Sequence, residues 1–254
     1  MLKPLDELKG FTIGATDGDI GKIADFYFDD EKWTVRYLVV DTGGWLTGRQ
    51  VLISPVAVTT VDLNASRVNV RLTKEQVEKS PGIEEHKPVS RQQEAAYFMY
   101  YNYPYYWTGP YLWGPVALPG DVMVPEAADS QAREIAEMAR ADTDIHLRSV
   151  GQVTEYYIEA KDGDIGHVEK FIVDDQNWTI RYIVVDTRNW LPGKKVLVSP
   201  EWISSVSWSD SRVYVDLSRE QIENCPQYDP RQAISRDYED RVHQHYQRRR
   251  YWVP

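Results

Sequence analysis

Residues 17–21, Asp-Gly-Asp-Ile-Gly, return 145 positions later as residues 162–166, and residues 2–109 align on residues 147–254 without a gap. About 42 of those 108 aligned pairs are identical, so the chain is a duplicated unit. The duplication constrains the fold more than any other feature, because the architecture must be one that about 100 residues can build twice. It divides the 254 residues into a first unit at 1–109, a connection at 110–145 and a second unit at 146–254. Within each unit roughly 85 residues, 1–85 and 146–230, read as a folded body followed by a tail, which is enough for a modest core.

The body of each repeat is a string of short β-branched and aromatic runs separated by turn residues, the pattern of a small all-β barrel or sandwich. Residues 13–15 lead into Asp17-Gly18, a hairpin turn in which glycine takes positive φ. Strands follow at 20–28 and at 33–42; the second is apolar on both faces and opens on Trp33, with Trp178 as its copy. Residues 51–53 run into Ser54-Pro55, and 56–61 and 67–72 complete about six strands per unit. Thr73 with Gln76, and Ser218 with Gln221, spell capping boxes for a short helix, with Leu72/Val77 and Leu217/Ile222 as hydrophobic staples. Pro81 and Pro226 end those helices.

Each body is followed by an aromatic tail, at 89–107 and at 234–252, in which Tyr101/Tyr246, Tyr106/Tyr251 and Trp107/Trp252 coincide in register. Ser90 and Gln93 form a third capping box, and Ala96, Tyr97, Tyr100 and Tyr101 follow at helical spacing. Such a face is too apolar for water, so the tails are expected to dock on their own unit, on the other unit or on a second molecule, the last giving a homodimer. The Pro/Gly-studded stretch 104–125 reads as a linker and 126–140 as a helix.

The run from Asp17 to Asp30, the run from Trp33 to Thr42 and Val51-Leu52-Ile53-Ser54-Pro55, with their copies through Pro200, resemble the PRC-barrel family. That family is named for the cytoplasmic domain of the photosynthetic reaction centre H subunit and includes the C-terminal domain of a bacterial ribosome-maturation factor. The resemblance implies a mainly β protein of two tandem six-stranded PRC-type barrels with short helices and aromatic tails, used as interaction modules, with no catalytic residue to carry over.

Charge and cysteine use agree with a soluble protein of the cytoplasm, which the family resemblance implies is of bacterial type. The net charge is -10, and residues 1–85 hold 10 Lys+Arg against 14 Asp+Glu, residues 146–230 holding 9 against 14. Neither body has the basic footprint of a nucleic-acid binder. The single cysteine, Cys225, stands where the first repeat has Ser80, which rules out a disulfide within the chain. No signal-peptide core and no apolar run of about 18 residues occurs.

Candidate sites are few. Asp17 and Asp19, with Asp162 and Asp164, and behind them Asp29, Asp30, Asp174 and Asp175, could cup calcium, yet Asp-Gly and Asp-Asp are turn formers and the remaining elements of a calcium loop are missing. Arg36 and Asp41, repeated as Arg181 and Asp186, point to opposite faces of a strand and are expected to find separate partners. His243 and His245 lack a third ligand. No cofactor and no catalytic set is expected. A protein partner is expected, met by Tyr101, Trp107, Tyr246, Arg248, Arg249, Arg250 and Trp252, and nucleic acid only by family analogy. The function so implied is a scaffold or regulatory adaptor, against an accessory of ribosome assembly or RNA processing, an accessory of reaction-centre electron transfer, and a hydrolase using the turn carboxylates.

Overall fold

The computed structural model describes residues 1–46, 48–82, 89–124, 146–187 and 193–253, and the helix expected over 126–140 lies outside them. The first repeat forms β1 (Leu2–Pro4), β2 (Thr12–Ala15), β3 (Gly18–Asp29), β4 (Thr34–Asp41), β5 (Gln50–Ile53), β6 (Val58–Asp62) and β7 (Arg67–Val70), then α1 (Lys74–Glu78) and α2 (Arg91–Tyr101). The second forms β8 (Leu147–Ser149), α3 (Val150–Val153), β9 (Tyr157–Ala160), β10 (Gly163–Asp174), β11 (Ile180–Asp186), β12 (Lys195–Val198), β13 (Ile203–Ser207), β14 (Arg212–Val215), α4 (Arg219–Glu223) and α5 (Arg236–His245).

The six strands legible in each repeat form one hydrogen-bonded path, β5-β4-β3-β2-β7-β6 in one sheet and β12-β11-β10-β9-β14-β13 in the other. Neighbours are antiparallel except the β2–β7 and β9–β14 pairs, which are parallel. A glycine is required where β3 crosses the end of β4: a Cβ on Gly21 would lie 2.1 Å from the Asp41 carbonyl oxygen, and one on Gly166 2.0 Å from that of Asp186. Trp33 and Trp178 turn the chain into β4 and β11 with φ of 49° and 62°, a left-handed conformation uncommon for a bulky residue. Burial of both rings, with Phe28 stacked on Trp33 at 5.1 Å, holds them there.

The expected count of six strands needs correcting. Each sheet has seven strands, and among the described residues no pairing joins the two ends of the path. The seventh strand is the one the periodicity missed, and it comes from the other repeat. β8 lies antiparallel on the outer half of β3, with Tyr27, Phe28 and Asp29 opposite Ser149, Arg148 and Leu147. β1 does the same on β10, with Ile172, Val173 and Asp174 opposite Pro4, Lys3 and Leu2. Three residues are too short to show an alternation.

The compact units follow these pairings. The first unit is Leu8–Val150 with Gln176–Thr179, and the second is Met1–Glu7, Gly151–Asp175 and Ile180–Pro254. They differ from the repeat boundaries at 1–109 and 146–254 chiefly by this exchange of opening strands. In the first unit the stretch read as a linker is folded through Val122: Tyr105, Tyr106, Trp113, Pro119 and Val122 are buried. Its backbone makes short 3-10 turns and isolated bridges, as its Pro and Gly content requires. The Trp113 indole N–H donates to the Asn177 carbonyl at 3.1 Å.

Both tails are helices packed on their own unit. The Ser90 capping box is formed, and Asn102, at φ 56°, ends α2; of the face expected to dock, Tyr97 and Tyr101 are buried but Ala96 and Tyr100 are exposed, because the helix turns Ala95 and Phe98 to the sheet instead. Tyr97 and Phe98 are buried against Tyr37 of β4, and the Tyr97 hydroxyl accepts from the Ser54 N–H at 2.9 Å. In the second unit Val242 and Tyr246 are buried and Trp202 packs on Tyr246 at 4.9 Å.

Candidate functional site

Each unit buries one polar cluster where its tail helix meets its longest strands, and the clusters are built from residues kept at the 145-residue spacing. Ser90 starts α2 so that Arg91 and Glu94, three apart, share the face turned to β4. After α2 the chain returns and lays Tyr106 and Trp107 on the same spot. The Glu94 carboxylate, fully buried, accepts from the hydroxyls of Tyr37 at 3.1 Å and Tyr106 at 2.9 Å and faces Arg91 at 3.3 Å. Arg36 of β4 pairs with Asp29 of β3 at 2.6 Å and lies over the Tyr106 ring at 3.8 Å, while Arg91 lies over Trp107 at 4.4 Å.

The second unit repeats this contact for contact. Glu239 accepts from Tyr182 at 3.0 Å and Tyr251 at 2.8 Å and pairs with Arg236 at 2.9 Å. Arg181 meets Asp174 at 3.3 Å and covers the Tyr251 ring at 4.0 Å, and Arg236 covers Trp252 at 4.2 Å. Tyr106 and Trp107 cross at 87°, Tyr251 and Trp252 at 86°.

A histidine joins each cluster from a different place. In the first unit it is His146, whose Nε2 lies 2.8 Å from Glu94 and 2.9 Å from the Tyr106 hydroxyl. In the second it is His243 of α5, whose Nε2 is 2.9 Å from the Tyr182 hydroxyl and whose Nδ1 is 2.8 Å from the Arg249 carbonyl. Their counterparts across the repeat are Met1 and Phe98. Burial lowers the His243 pKa and raises that of Glu239; it also raises the Tyr37 and Tyr106 hydroxyls well above the usual phenol value and pushes Tyr251 up to about 12. Carboxylate, phenols, guanidinium and imidazole engage one another inside the unit, leaving only Arg36 Nη2, His146 Nδ1 and Arg181 Nε of the two clusters without a hydrogen bond among the described residues, which suits a clasp fastening tail to sheet.

A family model for the PRC-barrel domain matches residues 3–77 and 158–222, more than half of the chain. The chain belongs to the PRC-barrel family. No curated protein matches it. Arg36, Tyr37 and Asp29, with their copies, lie inside the matched PRC-barrel segments, whereas Arg91, Glu94, Tyr106, Trp107 and their copies lie beyond them. The clasp therefore joins each PRC-barrel segment to a tail outside the family match.

The carboxylates singled out as calcium candidates serve the PRC-barrel turns. Asp17 accepts from the Lys74 N–H and Asp162 from the Arg219 N–H, each at 2.8 Å, at the start of α1 and α4. Asp19 pairs with Arg67 at 2.6 Å and Asp164 with Arg212 at 2.8 Å. Asp30 binds Arg148 at 2.7 Å, and Asp175 binds Lys3 at 3.1 Å and the N-terminal amine. Among the described residues no group of three or more His, Cys, Asp and Glu is placed to hold a metal. Arg36 and Asp41 do find separate partners, Asp41 accepting from the Gly43 N–H.

Of the partner-binding candidates, Tyr101 and Tyr246 are buried and cannot meet a partner from the folded state. Trp107 and Trp252 are half-buried under the arginines of the clasp. Arg248 pairs with Asp216 at 2.7 Å and Arg250 with Asp240 at 2.5 Å, while Arg249 is exposed. His243 and His245 are apart in role, His245 bonding the Gln221 carbonyl at 2.6 Å. Buried Cys225 has its pKa raised to about 11 by desolvation, so it is a weak nucleophile. The residues missed from the sequence are Arg91/Arg236, Glu94/Glu239, Tyr37/Tyr182 and His146. All but the last are identities between the repeats, and reading the repeated arginine and glutamate of the tail as a pair would have found Arg91/Arg236 and Glu94/Glu239.

Proposed function

We propose that the protein is a non-enzymatic PRC-barrel scaffold or regulatory adaptor that works by binding another protein. One observation carries the reading: apart from the exposed Glu75/Glu220 and Glu78/Glu223 of the short helices, the charged residues that both repeats keep are engaged in the clasp, at turns or with neighbouring segments. The clasp fastens the tails, Asp17 and Asp162 cap helices, and Asp19, Asp30, Asp164 and Asp175 hold basic side chains of neighbouring segments. A hydrolase built on the turn carboxylates needs several of them to converge on one pocket, and these are engaged locally. The concavity lined by Gly193, Lys195, Gln227, Tyr228, Asp229, Pro230 and Arg231, about 440 Å³, is walled by ion pairs, Lys195 with Glu169 and Arg231 with Asp229.

The test is affinity capture with the tagged full chain, quantified against Glu94→Ala/Glu239→Ala, in which both clasps are broken. A protein retained reproducibly by the intact chain and at wild-type affinity in purified form supports the reading. Turnover of an ester or phosphoester substrate, abolished by Asp19→Asn/Asp164→Asn, would replace it with the hydrolase reading.

A further inference from the structure

The exchange of opening strands is the feature of this chain that the scaffold reading does not use. The outer half of β3 and that of β10 each hold a strand that its own repeat does not supply, and they hold it in the same way. Three residue pairs form in the same antiparallel register. The N–H of Asp30 donates to the His146 carbonyl at 3.0 Å, and that of Asp175 to the Met1 carbonyl at 3.1 Å. The carboxylate of the same aspartate reads the base at the centre of the guest, Arg148 at 2.7 Å and Lys3 at 3.1 Å. The two guests share only Leu-base, in Leu2-Lys3-Pro4 and Leu147-Arg148-Ser149. Two copies of one reading head thus each accept a different strand.

We propose that this edge is a strand-acceptor site whose external partner is the opening strand of a second copy of this chain, so that two chains can trade the Leu-Lys/Arg segment reciprocally. Main-chain bonds along the edge supply affinity, and the aspartate supplies specificity. The guest is not placed by its local chain, since β8 reaches β3 from over 100 residues along the sequence. Within one chain the guest is held at high effective concentration, which favours the closed single copy; removing a guest opens the edge to another molecule. The proposal rests on the strand pairing alone and stands or falls independently of the scaffold reading.

The experiment removes residues 1–4 from the otherwise complete chain, which opens the edge of β10. A fluorescent peptide of residues 1–8 is expected to bind the shortened chain saturably and the complete chain not at all. A peptide of residues 146–153 should bind in competition, and the Lys3→Glu peptide about tenfold more weakly, as loss of the ion pair at the edge requires. Mixing the shortened chain with a complete chain carrying Asp175→Lys, whose own acceptor is impaired, should give a 1:1 complex by light scattering. A shortened chain that is folded by circular dichroism and binds neither peptide nor donor chain overturns the proposal. If the shortened chain does not fold, the complete chain decides: Lys3→Glu and Asp175→Lys chains, each with a mismatched guest and acceptor of its own, should form a 1:1 complex by light scattering when mixed and none when alone, and absence of the complex overturns the proposal equally.

Discussion

At the scale of single residues, the carboxylate at the centre of each clasp has the largest predicted effect. Glu94 is fully buried and engages two tyrosines, an arginine and a histidine, so Glu94→Ala strands a buried guanidinium and is expected to cost about 3 kcal/mol in urea unfolding. The histidine of the second clasp sets a pH dependence. His243 has a pKa lowered below 6.5 by burial, so its stabilising contribution is present above that value and is lost as the pH falls through the folded pKa. Glu239 acts in the opposite sense: its pKa is raised above 4.5, and its contribution, present below 4.5, is lost as the pH rises through the folded value. The charges around them are Arg181, Arg236, Glu201 and Arg250. His243→Phe, the residue that the first repeat already has at Phe98, should flatten the fall in thermal midpoint between pH 7 and pH 5.5 while leaving the Glu239 limb in place.

At the scale of elements, entry into the longest strand and docking of the tail decide stability. Trp33 holds positive φ only because its ring is buried on Phe28, and Trp33→Ala is expected to destabilise the first unit by roughly 3 kcal/mol. Removal of residues 231–254 takes away α5, His243 and the Tyr251–Trp252 pair; it should uncover Trp202, red-shift tryptophan emission and lower the midpoint of the second unit. An unchanged spectrum would show that α5 does not cover Trp202. The capping boxes of α1, α2 and α4, all formed in the structure, were legible because a cap is a contact among four consecutive residues. The pairing of β1 with β10 was not, since it joins residues 168 to 172 positions apart and its guest strand has three residues.

At the scale of the whole molecule, the exchange makes each unit depend on both repeats. A protease site placed within 126–140 and cut should leave the two fragments associated on gel filtration under native conditions, because each fragment carries one strand of the other's sheet. Separation of the cut fragments without denaturant would show that β1 and β8 contribute little. Among the described residues no helix is long and apolar enough to cross a membrane.

The sequence by itself determined the duplication, the six strands of each path, the caps, the buried tryptophans and the burial of the tail helices, because all of these follow from local periodicity, turn chemistry or comparison of one repeat with the other. Tertiary structure alone decided which sheet receives Leu2–Pro4 and Leu147–Ser149, that the stretch through Val122 is packed, and that Arg91, Glu94, Tyr37 and Tyr106 form one cluster. The physical reason is common to the three. A chain's local pattern tells which side chains must leave water, but where they go is settled by which distant surface completes their hydrogen bonds, and a buried carboxylate such as Glu94 is tolerable only once Tyr37, Tyr106 and His146, from three separate segments, have joined Arg91 of its own helix around it.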